Sequence, residues 1–327
     1  MRPRGARPGL RPAGFAVSAR LGEHGLGVAA VLFAALVWGT TGTVATLAPS
    51  VGPAAIGACA MGFGGLMQAA LAGRGIRASL PALARHWLLL LAGGLAVAIY
   101  PLAFYGSMRL AGVTVGTVVT IGSAPLLSTL LEVALDRSRL SRRWLLGALV
   151  GVSGMVLLCL AKGGAHPETA GGNAALPGIA LGLLGGLTYA LYSWSARRVM
   201  LGGVRPPVAM GATFGIGGLL LLPLLVATGG PFLASWGNAA VGLYMAVVPM
   251  FLGYLSFGYG LARTPASTAT TLTLTEPVVA AMLAMAVVGE RLTPAGWLGV
   301  ALIVSCLAIV TLPMGLPARR AQPLLGT

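Results

Sequence analysis

Residues 265–288 read PASTATTLTLTEPVVAAMLAMAVV, a run long and apolar enough for a helix that crosses a bilayer. Its one charged side chain is Glu276, which Pro277 follows directly. A carboxylate at this depth is costly, so it is expected to face protein or water and to mark a functional site. Because Pro277 has no N–H, the carbonyl of Thr273 should lose its helical partner. The stretch therefore predicts a membrane helix that is interrupted beside a functional carboxylate.

The rest of the chain has the composition of an all-α membrane protein. Of its 327 residues 57% are hydrophobic and only 8% are charged, whereas soluble domains carry about 25% charged residues. The apolar residues recur in blocks of roughly 20, the length of a transmembrane helix and not of an alternating transmembrane strand. We predict ten spans, at 27–47, 53–72, 87–108, 112–134, 144–161, 175–195, 207–227, 238–258, 265–288 and 294–313.

The net charge of +15 lies between the apolar blocks and predicts the orientation of the chain. With the N-terminus in the cytoplasm, 18 of the 21 Lys and Arg residues fall on the inner side, as the positive-inside rule requires. Lys162 is the one lysine among them, an arginine bias that indicates a bacterial source. We therefore expect a bacterial cell (cytoplasmic) membrane protein with both termini cytoplasmic, a basic arm over 1–26 and a tail over 314–327.

The two halves of the chain resemble each other. A shift of 152 residues aligns 105–153 with 257–305 without a gap and places Pro125 on Pro277. Because each copy has five spans, an odd number, the second must enter the membrane upside down. Inverted repeats of this kind place a substrate site near the midplane at the repeat interface, where helices are interrupted. We expect both prolines to be such helix breaks, and the units to be a first repeat over 27–161, a linker over 162–174 and a second repeat over 175–313.

Three motifs carry a resemblance to a known family: AALVWGTTG (34–42), YALYSWSARR (189–198) and TLTEPVVAAMLAMAVVGERLTPAGWLGVALI (273–303). The chain resembles EamA-type transporters of the drug/metabolite transporter superfamily, as two EamA units over 27–312. The resemblance implies ten helices in a five-plus-five inverted repeat, transport of small organic solutes by alternating access, and no bound cofactor. The first unit has Ala124 where the second has Glu276, which suggests asymmetric carboxylate chemistry.

Glu276 is the leading candidate for contact with a substrate amine or for carrying a coupling proton. The alternative is a packing residue, hydrogen-bonded to a neighbouring span. Aromatic and hydroxyl side chains on related faces of the first and sixth spans predict either pocket lining or packing; they are Trp38, Thr41, Tyr189, Tyr192 and Ser193. Further candidates for substrate binding are Tyr105, Thr120, Thr273 and Thr275.

These observations favour a secondary transporter of small organic metabolites, most simply an exporter of amino acids or related compounds. A passive facilitator or channel and a non-transporting membrane scaffold are the alternatives. An enzyme is disfavoured, because no His, Asp or Cys cluster falls at one membrane face and no nucleotide-binding motif occurs. We expect a small-molecule substrate and the lipid bilayer as partners, no nucleic acid, no metal and no cofactor. The sequence leaves a homo-oligomer open.

Overall fold

The computed structural model describes residues 13–111, 113–139, 141–162, 175–283, 285–286 and 291–311. All regular structure in these ranges is helical. The first half contains α1 (Ala13–Trp38), α2 (Thr41–Ala45), α3 (Pro53–Leu71), α4 (Gly73–Ala78), α5 (Leu80–Arg85), α6 (Trp87–Ala111), α7 (Val113–Asp136) and α8 (Arg142–Lys162). The second half contains α9 (Ala175–Leu201), α10 (Pro206–Thr228), α11 (Trp236–Met245), α12 (Tyr254–Leu261), α13 (Ala266–Leu272), α14 (Glu276–Leu283) and α15 (Pro294–Thr311).

The protein is an all-α membrane protein, as predicted. Eight segments of the described residues are long and apolar enough to cross a bilayer: Gly22–Ala45, Pro53–Leu71, Trp87–Ala111, Val115–Asp136, Leu176–Leu201, Pro206–Thr228, Trp236–Leu261 and Pro294–Thr311. The two other predicted spans correspond to α8 and to the interrupted segment α13–α14. The spans therefore follow one another in the predicted order, five in each half.

The helices pack as two copies of one five-span unit would pack around a two-fold axis. Contacts between different positions come in pairs: α6 packs on α9, and α12 packs on α1 in the related place. The second, fourth and fifth spans each pack against their own counterparts, in the pairs α3–α10, α7–α13 and α8–α15. The interface between the copies thus runs through the centre of the molecule, and it is there that a shared site can form.

Glycines set the spacing of the central α3–α10 pair. A Cβ atom on Gly65 would overlap the carbonyl of Phe214, and one on Gly218 would lie 2.7 Å from the carbonyl oxygen of Gly62. Small residues let membrane helices approach until their backbones touch, which adds van der Waals contact where the hydrophobic effect is weak. The glycine-rich stretches of the second and seventh spans therefore serve packing.

The first helix begins earlier than expected. We predicted a basic arm up to residue 26, but α1 begins at Ala13, so part of this arm is helical. No proline occurs between residues 13 and 48, and extending an existing helix adds one hydrogen bond for each residue fixed. The remainder of the arm (1–12), the linker residues 163–174 and the tail lie outside the described residues.

The prediction that Pro125 breaks its helix is wrong. The helix α7 continues through Pro125 from Val113 to Asp136. A proline removes one backbone hydrogen bond, and a membrane helix tolerates this loss where neighbouring helices support it. Here α7 packs against α6, α9 and α13, and these contacts hold the segment helical.

Candidate functional site

The ninth span changes its helical geometry immediately before Glu276 and Pro277. The helix α13 ends at Leu272, a 3-10 turn covers Thr273–Thr275, and α14 begins at Glu276. The backbone N–H of Glu276 donates to the carbonyl of Thr273. The expectation of a free Thr273 carbonyl is therefore wrong, because the tighter turn replaces the bond that Pro277 cannot make.

The side chain of Glu276 borders a small cavity between the two repeats. The cavity has a volume of about 40 Å³, far below the roughly 300 Å³ at which small-molecule pockets begin. Its lining comes from both copies: Trp38, Thr41, Gly57, Ala60, Met61, Tyr100, Pro101, Phe104, Tyr105, Tyr189, Met250, Tyr254 and Glu276. One carboxylate thus lies in a mostly apolar and aromatic wall, which has no cationic side chain among the described residues.

Aromatic rings line this cavity, and further rings pack against them. The Trp38 ring centroid lies 4.6 Å from that of Tyr254, and it meets Tyr189 edge to face at 6.4 Å. Tyr189 and Tyr192 stack at 5.3 Å, as their spacing of three residues on one helix permits. The hydroxyl oxygens of Tyr192 and Tyr254 are 2.7 Å apart. This aromatic layer of Trp38, Tyr189, Tyr192 and Tyr254 therefore combines ring packing with one hydrogen bond between α9 and α12.

A π-helical segment over Ala246–Gly253 lies within the eighth span and borders the cavity through Met250. It contains Pro249, and its wider turns present backbone carbonyls to neighbouring helices. The indole N–H of Trp38 donates to the carbonyl of Pro249 at 2.8 Å, and the amide of Gln68 donates to the carbonyl of Met250 at 3.3 Å. The segment thereby holds the first and second spans against the eighth.

Five of the residues singled out in the sequence meet at the cavity: Trp38, Thr41, Tyr105, Tyr189 and Glu276. The hydroxyl of Thr41 donates to the carbonyl of Trp38 at 2.7 Å, which fixes its rotamer and leaves its lone pairs available. The phenol of Tyr189 donates to the hydroxyl of Thr273 at 3.0 Å. Thr273 therefore supports a cavity residue from behind.

The other candidates lie away from the cavity wall. Tyr192 belongs to the aromatic layer, and the buried residues Ser193 and Thr120 have hydroxyl groups without a hydrogen-bond partner in the described part of the chain. The hydroxyl of Thr275 donates to the carbonyl of Leu272 within its own turn, at 2.7 Å. Pro277 is buried in the first turn of α14. These side chains can influence substrate binding only through the residues that line the cavity.

Tyr100, Tyr254 and the π-helical segment were not predicted from the sequence. Tyr100 directly precedes Pro101 and Tyr254 follows Gly253, so each aromatic side chain adjoins a residue of special backbone preference within an apolar block. Gln68 was a further signal, since an amide within a membrane span needs a partner across helices. Which carbonyls would receive these donors depends on tertiary packing.

The comparisons with known proteins agree with this architecture. The chain is 33% identical over 283 residues to the uncharacterized transporter YwfM of Bacillus subtilis, covering 86% of this chain and 92% of that protein. It is 31% identical over 214 residues to the threonine/homoserine exporter RhtA of Escherichia coli, covering 63% of this chain and 68% of that protein. One crystal structure matches its fold with a TM-score of 0.71 at 21% identity, over 87% of this chain and 96% of that one.

The model of the EamA-like transporter family matches the chain twice, over residues 25–160 and 176–312. The two matches coincide with the five-span halves whose helices pack as related copies, and the resemblance noted in the sequence is confirmed. This protein is a multi-pass membrane protein that belongs to the EamA-like transporter family.

Proposed function

We propose that the protein is a secondary transporter that exports amino acids or related small amines by alternating access. The observation that carries this proposal is the position of Glu276, whose carboxylate borders a cavity walled by both repeats. A site at the repeat interface changes its exposure when the copies rock against each other. The same interface in a scaffold protein would need neither a cavity nor a carboxylate.

The chemistry of the cavity suits an ammonium group. A carboxylate forms charge-assisted hydrogen bonds with such a group, and the faces of Trp and Tyr rings attract cations. Glu276 supplies the carboxylate, and Trp38, Tyr100, Tyr189 and Tyr254 supply rings around it. Since no Lys or Arg belongs to the described lining, a substrate carboxylate would depend on phenol donors of the wall such as Tyr100 and Tyr105.

The size of the cavity favours a carrier over a channel. A space of about 40 Å³ is too small for an amino acid, so binding requires the repeats to separate on one side. Aromatic packing between Tyr192, Phe214 and Tyr254 closes the space behind it, with centroids 4.5 to 6.0 Å apart. A protein that must rearrange to admit each solute molecule transports in cycles.

Threonine and homoserine are the first substrates to test, because a relative bears the name of their exporter. We place the protein in the bacterial cell membrane with both termini in the cytoplasm, as the distribution of its arginines predicts. In that orientation the basic connections, and the ends of α7 and α9, face the cytoplasm. Coupling to protons would pass through Glu276.

The test is counterflow in liposomes that contain the purified protein. Vesicles loaded with unlabelled threonine or homoserine should accumulate the radiolabelled compound transiently, because a carrier exchanges solute in both directions. Glu276→Gln should slow this accumulation at least about tenfold, while the protein remains monodisperse. Equilibration without any transient accumulation would indicate a channel, and no uptake across a panel of amino acids and amines would refute the proposed function.

A further inference from the structure

A second carboxylate within a span, that of Glu132, ties the fourth span to the ninth. It is 8% exposed and lies near the end of α7. One of its oxygens accepts from the backbone N–H of Ala266 at 2.7 Å and of Ser267 at 3.3 Å; the other accepts from the Ser267 hydroxyl at 2.6 Å. Both N–H groups lie at the start of α13, where they have no partner within the helix. Glu132 thus holds the beginning of the segment that leads to Glu276.

Two arginines of α9 complete the connection at the same end of the bundle. Arg197 donates from Nε to the carbonyl of Thr264, just before α13, at 2.8 Å. Arg198 pairs with Asp136 of α7 at 3.3 Å, and the other carboxylate oxygen of Asp136 accepts from the indole N–H of Trp194 at 3.0 Å. We call Glu132, Asp136, Trp194, Arg197, Arg198 and Ser267 the charged cluster. It links the fourth, sixth and ninth spans.

The charged cluster separates the Glu276 cavity from a larger space at the end of the bundle. That second cavity has a volume of about 410 Å³, and its lining includes Glu132, Asp136, Arg197 and Arg198. Arg197 lies eight residues beyond Tyr189 on α9, which is about 12 Å along a helix. The larger space is therefore a vestibule, with the charged cluster and the aromatic layer between it and the Glu276 cavity.

The positions that the repeat relates to the charged cluster hold uncharged residues. Under the shift of 152 residues, Glu132 and Asp136 correspond to Ala284 and Val288, and Ser267 corresponds to Val115. Under the shift of 151 residues that relates the first and sixth spans, Arg197 and Arg198 correspond to Thr46 and Leu47. The repeats are alike in fold, but only one end carries the charged cluster.

We propose that the charged cluster is a one-sided gate of the transport cycle, and that Glu132 is its positioning residue. This inference rests on the proposed alternating access. For the vestibule to reach Glu276, the start of α13 must leave the carboxylate of Glu132, and α7 must leave α9. The cluster therefore favours the form that is closed at this end, the cytoplasmic end in the proposed orientation. The ion pair between Arg198 and Asp136 lies at this end.

The test uses Ser128→Cys as a reporter that needs no substrate. Ser128 is buried one turn before Glu132, and its hydroxyl accepts from that of Thr270 on α13 at 3.2 Å, so the site becomes reachable when α7 and α13 separate. A membrane-impermeant thiol reagent is applied to the face of membrane vesicles that carries Arg197, and labelling of each cysteine is measured by mass spectrometry. With Glu132→Gln or Arg198→Gln we expect the labelling rate to rise about tenfold, since hydrogen bonds to charged groups are the stronger ones.

Two of the three native cysteines, Cys59 and Cys306, are buried and act as internal controls. Arg139→Gln is the matched control variant: Arg139 lines the same vestibule and is exposed, but it does not belong to the cluster. It should leave the labelling of Ser128→Cys unchanged. If the rate is unchanged with Glu132→Gln and Arg198→Gln, or if Cys59 and Cys306 become labelled in parallel, the gate is refuted. If the labelling of Ser128→Cys responds as expected but the protein shows no counterflow with any amino acid or amine, the proposed function is refuted instead.

Discussion

Glu276 and Glu132 illustrate how two glutamates on neighbouring spans come to have different surroundings. Glu132 accepts three hydrogen bonds from the start of α13, and these contacts satisfy both of its oxygens. Glu276 borders a cavity among aromatic rings. An oxygen that already accepts strong hydrogen bonds gains little from a ligand, whereas one that faces a cavity can bind an incoming donor. We therefore assign binding to Glu276 and positioning to Glu132.

Replacing Glu276 by glutamine tests this assignment at a single atom. The variant keeps the shape of the side chain but removes the charge that would attract an ammonium group, so we expect transport of amines to fall at least about tenfold, the loss of one charge-assisted hydrogen bond. Initial rates of counterflow and membrane abundance are measured together. Thr275→Val is the neighbouring control, because the Thr275 hydroxyl bonds within its own turn; it should transport normally. Equal losses in both variants would show that Glu276 acts through folding.

At the scale of the element, three prolines have three different effects on their helices. The helix α7 continues through Pro125, a π-helical segment surrounds Pro249, and a 3-10 turn precedes Pro277. All three lack the same N–H group, so the difference arises from the helices around them. The π-helical segment is held by the indole of Trp38, and this bond is available only because the first span packs on the eighth.

The bond between Trp38 and Pro249 predicts a stability effect. Trp38→Phe keeps an aromatic ring but leaves a buried carbonyl without its donor, so the protein should lose about 1 to 3 kcal/mol of stability. Thermal unfolding in detergent, followed by circular dichroism, measures the change. Trp236→Phe is the control, because Trp236 is 93% exposed. An unchanged unfolding temperature for Trp38→Phe would show that the π-helical segment does not depend on this bond.

The glycine contact between α3 and α10 predicts a second effect. In Gly65→Ala the new Cβ atom would overlap the carbonyl of Phe214, which must force the two helices apart at a cost of about 1 to 3 kcal/mol. The same unfolding measurement applies. Gly25→Ala on α1 has no neighbouring atom within 4 Å and should leave stability unchanged or slightly higher, since alanine favours helix. A tolerated alanine at position 65 would contradict the close approach.

At the scale of the whole molecule, the odd number of spans in each copy requires the copies to be inverted. If all ten segments cross the bilayer, both termini lie on the same face, and the distribution of the arginines predicts that this face is the cytoplasmic one. Alkaline phosphatase is active only outside the cytoplasm and green fluorescent protein is fluorescent only inside it. We therefore expect C-terminal fusions to be fluorescent and to lack phosphatase activity, and an N-terminal fluorescent fusion to be fluorescent as well. Reporters on opposite faces would exclude the ten-span inverted repeat.

The architecture was largely predictable from the sequence, because membrane insertion depends on properties that the chain carries locally. Apolar length decides which segments can span, and in the hydrocarbon region backbone groups must bond within their own helix. The halves could be matched because Pro125 and Pro277 lie at equal places in repeated units. Cavity residues that share a helical face with a marked position, such as Tyr189 and Thr41, could be proposed for the same reason.

Long-range contacts were not predictable in this way. The sequence alone determined an all-α membrane protein of two EamA-like units with a carboxylate in its ninth span, since length, hydrophobicity and motif spacing are local quantities. Only the tertiary structure decided that Glu276 faces a cavity while Glu132 caps α13, that Pro125 is tolerated, and that Pro249 binds Trp38. Each of these depends on which atom of a distant helix comes within hydrogen-bonding distance, and no local pattern in one chain specifies that partner.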